Sequence, residues 1–203
     1  MRLFTKKRTL GTEAPGGNKL NLLLSGFSQQ EIVPVDDIVR SIDQLPDFHL
    51  EGLREIAYLP QYASAASVPG YPIYPRCAPQ GEFVQSERRI YLYGFDRPAL
   101  FHHMLHHEIG HFVFFLAIAS RVKKRWVTEL FPGSACVTAY GGKNPWEDFA
   151  ETYAYYALDP QFLQSRLPEK HAFMVDTASL SPKRVPRAKY SRRLFPWMNS
   201  IAM

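Results

Sequence analysis

His107-Glu108-Ile109-Gly110-His111 is the stretch on which the reading of this chain turns. Residues i and i+4 of a helix stand one above the other, so both imidazoles can reach one tetrahedral ion. The glutamate beside the first histidine lies to one side of that pair, where it can act as base toward a water on the open coordination position. The spacing therefore implies a reaction as well as a metal, with one zinc ion as the expected cofactor.

The flanks support a helix. Asp96-Arg97-Pro98 reads as a helix start, with a capping aspartate and a proline in the first turn. From Ala99 to about Arg121 nothing breaks the pattern, and Phe112 to Ala119 is apolar all round. A helix of that kind is buried, and the polar groups in its span must then be satisfied. Gly110 is a poor helix former that allows close backbone approach on the metal face. His102, His103 and His106 crowd the preceding turn. His103 and His107 also have i, i+4 spacing, but Met104 occupies the place where the chemistry needs a glutamate. The three are expected to be packing or exposed residues unless one lines the cleft, and the isolated His49 and His171 are expected at the surface.

A catalytic zinc takes three protein ligands and leaves a site for water. The best source of the third is Tyr140-Gly-Gly-Lys-Asn-Pro-Trp-Glu147-Asp-Phe-Ala-Glu151, where Asn144 and Pro145 mark a helix start. Glu147 and Glu151 are again i and i+4, a pairing that repels unless a cation intervenes. Glu147 could hold the ion while Glu151 accepts the free ring N–H of a ligand histidine. The alternative is a capping box of Asn144 with Glu147 and a solvated Glu151. Tyr140, before a Gly-Gly turn, reads equally as a packing residue.

Together, His107 to His111, Tyr140 and the Glu-Asp-Phe-Ala-Glu run resemble the zinc metallopeptidases of the anthrax lethal factor and Pro-Pro endopeptidase group. The likeness spans roughly residues 82 to 158 and rests on the two anchors and on Tyr140 standing seven positions before Glu147. It implies a zincin-like, gluzincin-type domain in which His107, His111 and Glu147 bind zinc, Glu108 is the base, Tyr140 supports the oxyanion and Glu151 stands behind the ligands. The family's substrate-binding loops find no match, so substrate preference does not transfer.

The remaining sequence suggests an α+β scaffold: a single domain with a small, mainly antiparallel sheet and packed helices. Ile38, Ile42 and Leu45 form a helical stripe within Pro34 to Leu45, and Arg54 to Leu59 reads as a short buried strand. Gly81 to Ser86 and Arg89 to Tyr93 read as a hairpin. The second strand, with Arg89, Tyr91 and Tyr93, is the candidate edge for an extended substrate peptide, or else purely structural. Pro60 to Gly81 is proline-rich and expected to be an irregular loop that could form part of a substrate groove. Asp159-Pro160 and Pro168-Glu169 open two further helices.

The expected division is a basic segment over 1–19, a metallopeptidase domain over 20–180 and a basic, proline-containing tail over 181–203. Eleven of the 24 Lys and Arg residues lie in those end segments, whereas all 19 acids fall between Glu13 and Asp176. The body is thus acidic and no nucleic-acid substrate is expected; the basic ends could contact an anionic surface or stay solvated. Leu20 to Leu24 is too short for a Sec-type signal peptide and Phe112 to Ala119 too short to span a membrane. The expectation is a soluble protein, cytoplasmic or exported by a specialised route, as a toxin or effector would be. Cys77 and Cys136 lack CxxC partners, so a cysteine metal site is not expected, and spacing leaves their pairing open.

The function expected from these residues is a zinc-dependent endopeptidase acting on an extended protein or peptide segment. The alternatives are a catalytically silent zincin-like peptide- or protein-binding module, and a zinc amidase with a non-protein substrate. The intact Glu108 favours an enzyme, because a structural ion needs no base.

Overall fold

A computed structural model describes residues 22–62 and 80–179. The terminal segments, Cys77 and most of the proline-rich stretch after Pro60 lie outside the described residues. The fold opens with a βαβ unit: β1 (Leu23–Ser25), α1 (Val35–Asp43) and β2 (Glu55–Tyr58). Ile38, Val39 and Ile42 form the buried stripe of α1, and Asp36 and Asp37 sit in its first turn, where the helix dipole favours acids. A helical crossover returns the chain in its original direction, so β1 and β2 pair in parallel.

The long connection after β2 leads to a hairpin of β3 (Gly81–Val84) and β4 (Arg89–Leu92). β4 docks parallel to β2, leaving β3 antiparallel at the edge among the described residues, in the order β1-β2-β4-β3. The sheet is therefore mixed rather than mainly antiparallel. Two of its three pairings follow long connections that bring the strand back in the same sense. β1 was not legible as a strand, since three residues carry too little alternation. The edge is also reversed from expectation, because β4, with Arg89 and Tyr91 and followed by Tyr93, is an inner strand among the described residues.

One row across the sheet shows why it holds. Leu24 pairs with Ile56, Ile56 with Ile90 and Ile90 with Phe83. The first three are almost wholly buried. Against this sheet lies α2 (Pro98–Phe112), whose Phe101, Leu105, Ile109 and Phe112 are fully buried at helical spacing. Each such side chain contributes about 1.5–3 kcal/mol by leaving water.

α2 runs on through a wider π-type turn at Val113–Ala117 and stops at Ile118, whose backbone is extended. The helix expected to reach Arg121 is thus cut short, and α3 (Ser120–Arg125) starts anew. No Gly or Pro marks the break. Lys123 Nζ donates to the Phe115 carbonyl at 2.6 Å, satisfying a helix-end acceptor from the next helix. The start differs too: Arg97 is the capping position and no side chain caps it, while Asp96 pairs with Arg97.

A second π-type turn (Trp126–Leu130) and the single turn α4 (Phe131–Gly133) lead to α5 (Pro145–Leu158). α6 (Pro160–Arg166) and α7 (Pro168–Ser179) follow as expected. Among the described residues no helix is long and apolar enough to cross a membrane.

Candidate metal centre

The site is made where α2 and α5 touch. Gly110 permits that contact: a β-carbon there would lie 2.9 Å from Ala150 Cα and 3.1 Å from Tyr153 Cβ. The close approach anticipated at Gly110 is therefore toward α5, the helix that carries Glu147 and Glu151. α5 is set by Asn144, whose Oδ1 accepts the Glu147 N–H at 2.9 Å, with Pro145 in the first turn. Capping and ligand roles do not compete, because Asn144 binds the backbone of Glu147 while the Glu147 carboxylate faces the imidazoles.

His107 Nε2, His111 Nε2 and Glu147 Oε2 form a nearly equilateral triangle with sides of 3.1, 3.2 and 3.3 Å. Ligand atoms about 2.0–2.1 Å from a tetrahedral ion stand about 3.3 Å apart. The three donors thus fit one divalent cation. Glu147 Oε2 is buried and, among the described residues, faces the two imidazole nitrogens at 3.2 and 3.3 Å, as expected of an atom that serves a cation.

Behind the triangle, His107 Nδ1–H donates to Glu151 Oε1 at 2.7 Å. That bond places the proton on Nδ1 and leaves the Nε2 lone pair for the ion. Glu151 also meets His103 Nε2 at 3.1 Å and accepts from Thr138 Oγ1 at 2.8 Å. His103, His107 and Glu151 are a second group able to hold a cation. Their separations are those of hydrogen bonds, and His107 would need both nitrogens deprotonated to serve two ions, so the first group is the better metal site. Among the described residues His111 Nδ1 has no corresponding partner.

The charges follow from these contacts. Burial works against ionising His107, but the carboxylates of Glu147 and Glu151, at 3.2 and 2.7 Å from its ring nitrogens, override it and raise the imidazole to about 9. Burial likewise opposes ionisation of Glu147, yet the two histidines bring it down to about 2. Glu151 is held below the usual carboxylate range by His103 and His107, again against its burial. Glu108 behaves differently: burial raises it, with Glu147 and Glu82 adding to the rise and His111 and His107 opposing it. Its Oε2 is buried without a partner among the described residues. A carboxyl whose affinity for protons is raised beside a cation site is suited to take one.

A cleft of about 280 Å³ opens onto His107, Glu108, His111 and Glu147. One wall is β3 and the residue just past it, through Gly81, Glu82, Phe83 and Gln85; Phe115, Tyr140 and Trp146 complete the lining. Tyr140 is 45% exposed, its ring edge-on to His107 with centroids 5.7 Å apart, and Lys143 Nζ lies 3.7 Å from that ring.

Arg89, Tyr91 and Tyr93 do not line the cleft. Arg89 pairs with Glu55 at 3.1 Å and the Tyr91 hydroxyl donates to Glu87 at 2.6 Å. Tyr93 donates to Glu82 and so supports a cleft residue from behind. Sequence reasoning missed Thr138, Glu82, Phe83, Phe115 and Trp146. His103 carries a signal in its i, i+4 spacing from His107, but the spacing lacks the adjacent glutamate that marks a catalytic pair. His49 was expected at the surface but is buried, bonded to the Tyr153 hydroxyl at 2.9 Å and pushed down to about 4 by burial. No protein-family profile matches the chain, and no curated protein matches it either.

Proposed function

We propose that this chain is a zinc-dependent endopeptidase of the anthrax lethal factor and Pro-Pro endopeptidase kind. The observation that carries the reading is the Nε2, Nε2, Oε2 triangle with sides of 3.1 to 3.3 Å and a buried, partnerless Glu108 oxygen beside it. Two imidazoles and one carboxylate are the donor set of a catalytic zinc with an open position. When bound there, zinc supplies Lewis acidity, bringing the pKa of a coordinated water to about 7 and polarising a carbonyl.

The chain's own residues do the rest. Glu108 takes the water's proton and, as attack proceeds, returns it to the departing amine. Tyr140, at the mouth of the cleft, donates from its hydroxyl to the oxygen on which charge develops. Glu151 fixes the His107 tautomer and ring plane, and Thr138 and His103 fix Glu151 in turn. Along the cleft, β3 offers the backbone groups of an edge strand, onto which an extended peptide can add. The edge-strand role given by sequence to β4 thus passes to β3.

The test is a mixed-peptide library incubated with zinc-loaded protein, with Glu108→Ala as control. Cleavage by the wild type and none by the variant, at equal zinc content, is the expected result. Full zinc loading with no peptide cut would favour a binding module instead.

A further inference from the structure

A buried ion pair flanks the carboxylates of α5. Lys170 of α7 and Asp148 of α5 are both fully buried. Lys170 Nζ donates to Asp148 Oδ1 and Oδ2, each at 2.7 Å, and to the Ala135 carbonyl at 2.8 Å, so all three protons are used. A pair so placed is weak support for stability, since desolvating two charges offsets most of their attraction. Its third bond points elsewhere. Ala135 begins the segment that delivers Thr138 and Tyr140. The far end of that segment rests on α5 at the same place: a β-carbon on Gly141 would lie 3.3 Å from Asp148 Cα and 3.6 Å from Glu151 Cβ. Between the two ends, the Gly141 N–H donates to Thr138 Oγ1, which donates to Glu151 Oε2.

We propose that Lys170 is a positioning residue for the metal centre: from α7 it clamps segment 135–143 onto α5, which sets Thr138 against Glu151 and Tyr140 over the cleft. The inference rests on the metallopeptidase reading for its effect on turnover, but not for its effects on segment order and zinc affinity. Neither Lys170 nor Asp148 reaches the cleft, so the clamp acts through kcat and metal retention rather than through KM.

Lys170→Met leaves the buried Asp148 carboxylate without its cation, with Cys136 as a remaining side-chain contact, and is expected to lower stability. The decisive variant is therefore the double Lys170→Met, Asp148→Ala, which removes both charges and recovers most of that loss. Three quantities are measured on it: amide exchange of residues 135–143, zinc affinity by chelator competition, and kcat on a cleaved peptide. Expected are faster exchange confined to that segment, zinc affinity weaker by roughly tenfold or more as for loss of an outer support, and a lower kcat at unchanged KM. Thr138→Val, which cuts the same chain at its other end, should reproduce the weaker zinc binding. A double variant with wild-type exchange and zinc affinity, or one that cannot fold, overturns the clamp and leaves an ordinary structural ion pair. If the wild type cuts no peptide, the metallopeptidase reading fails while exchange and zinc affinity still decide the clamp.

Discussion

His106 and His107 are neighbours on one helix, both buried, both with another histidine four residues away, yet they have opposite characters. His106 faces α1, where its Nε2 meets Ser41 Oγ at 2.8 Å; burial, with His102 and His103 adding to it, pushes it down to about 3. His107 faces α5, and two carboxylates there lift it to about 9. The i, i+4 spacing is thus common to a packed neutral histidine and to a cation ligand. The opposing helix makes the difference: α5 presents Glu147 and Glu151 at the spacing of His107 and His111, whereas α1 presents a hydroxyl.

The strongest way to break this contrast is at the base. Glu108→Ala is expected to retain zinc and to lose about 10²–10⁴ in turnover on any peptide the wild type cuts. Next are the carboxylates of α5. Glu151→Gln should weaken zinc binding by about 10–100-fold, and Glu147→Ala by more, both read by chelator competition. If Glu151→Gln proved the worse of the two, the triangle would not be the metal site.

Smaller in effect is the proton linkage. While no ion is bound, His107 holds a proton below about pH 9, and a ligand nitrogen must lose it. Zinc affinity should therefore rise about tenfold per pH unit from neutrality and level off above about 9, with close to one proton released in calorimetry across buffers.

The smallest effect is on the other face. His106→Leu should leave zinc affinity unchanged and alter stability at neutral pH by about 1 kcal/mol, from the lost Ser41 bond. Because its folded pKa is depressed to about 3, His106 makes the wild type lose stability as pH falls below about 6.5, where the unfolded chain takes up the proton. The Leu variant should show less of that acid sensitivity in denaturant titrations.

The site was more legible than the sheet. Local spacing placed His107, Glu108, His111, Glu147 and Glu151 because helices turn sequence periodicity directly into shared faces. Tyr140 rested on a resemblance, and it does stand over the cleft beside His107. The sheet depends on which distant strands pair, and three- or four-residue strands carry little of that information; hence β1 was overlooked and the edge was assigned to β4. Thr138 and Lys170 had no signal at all, since a hydroxyl or amine acquires its role only when the chain brings a carboxylate to it. The break at Ile118 was similarly hidden, because its cap is a lysine side chain from the next helix.

Zinc-edge X-ray absorption on protein carrying one equivalent of the metal tests the central claim most directly, with Glu147→Ala alongside. Two imidazole nitrogens and a carboxylate oxygen at about 2.0–2.1 Å, with one further light ligand, are predicted for the wild type, and loss of that carboxylate in the variant. A wild-type spectrum that Glu147→Ala leaves unchanged, or zinc that is held without two imidazoles, would contradict the account.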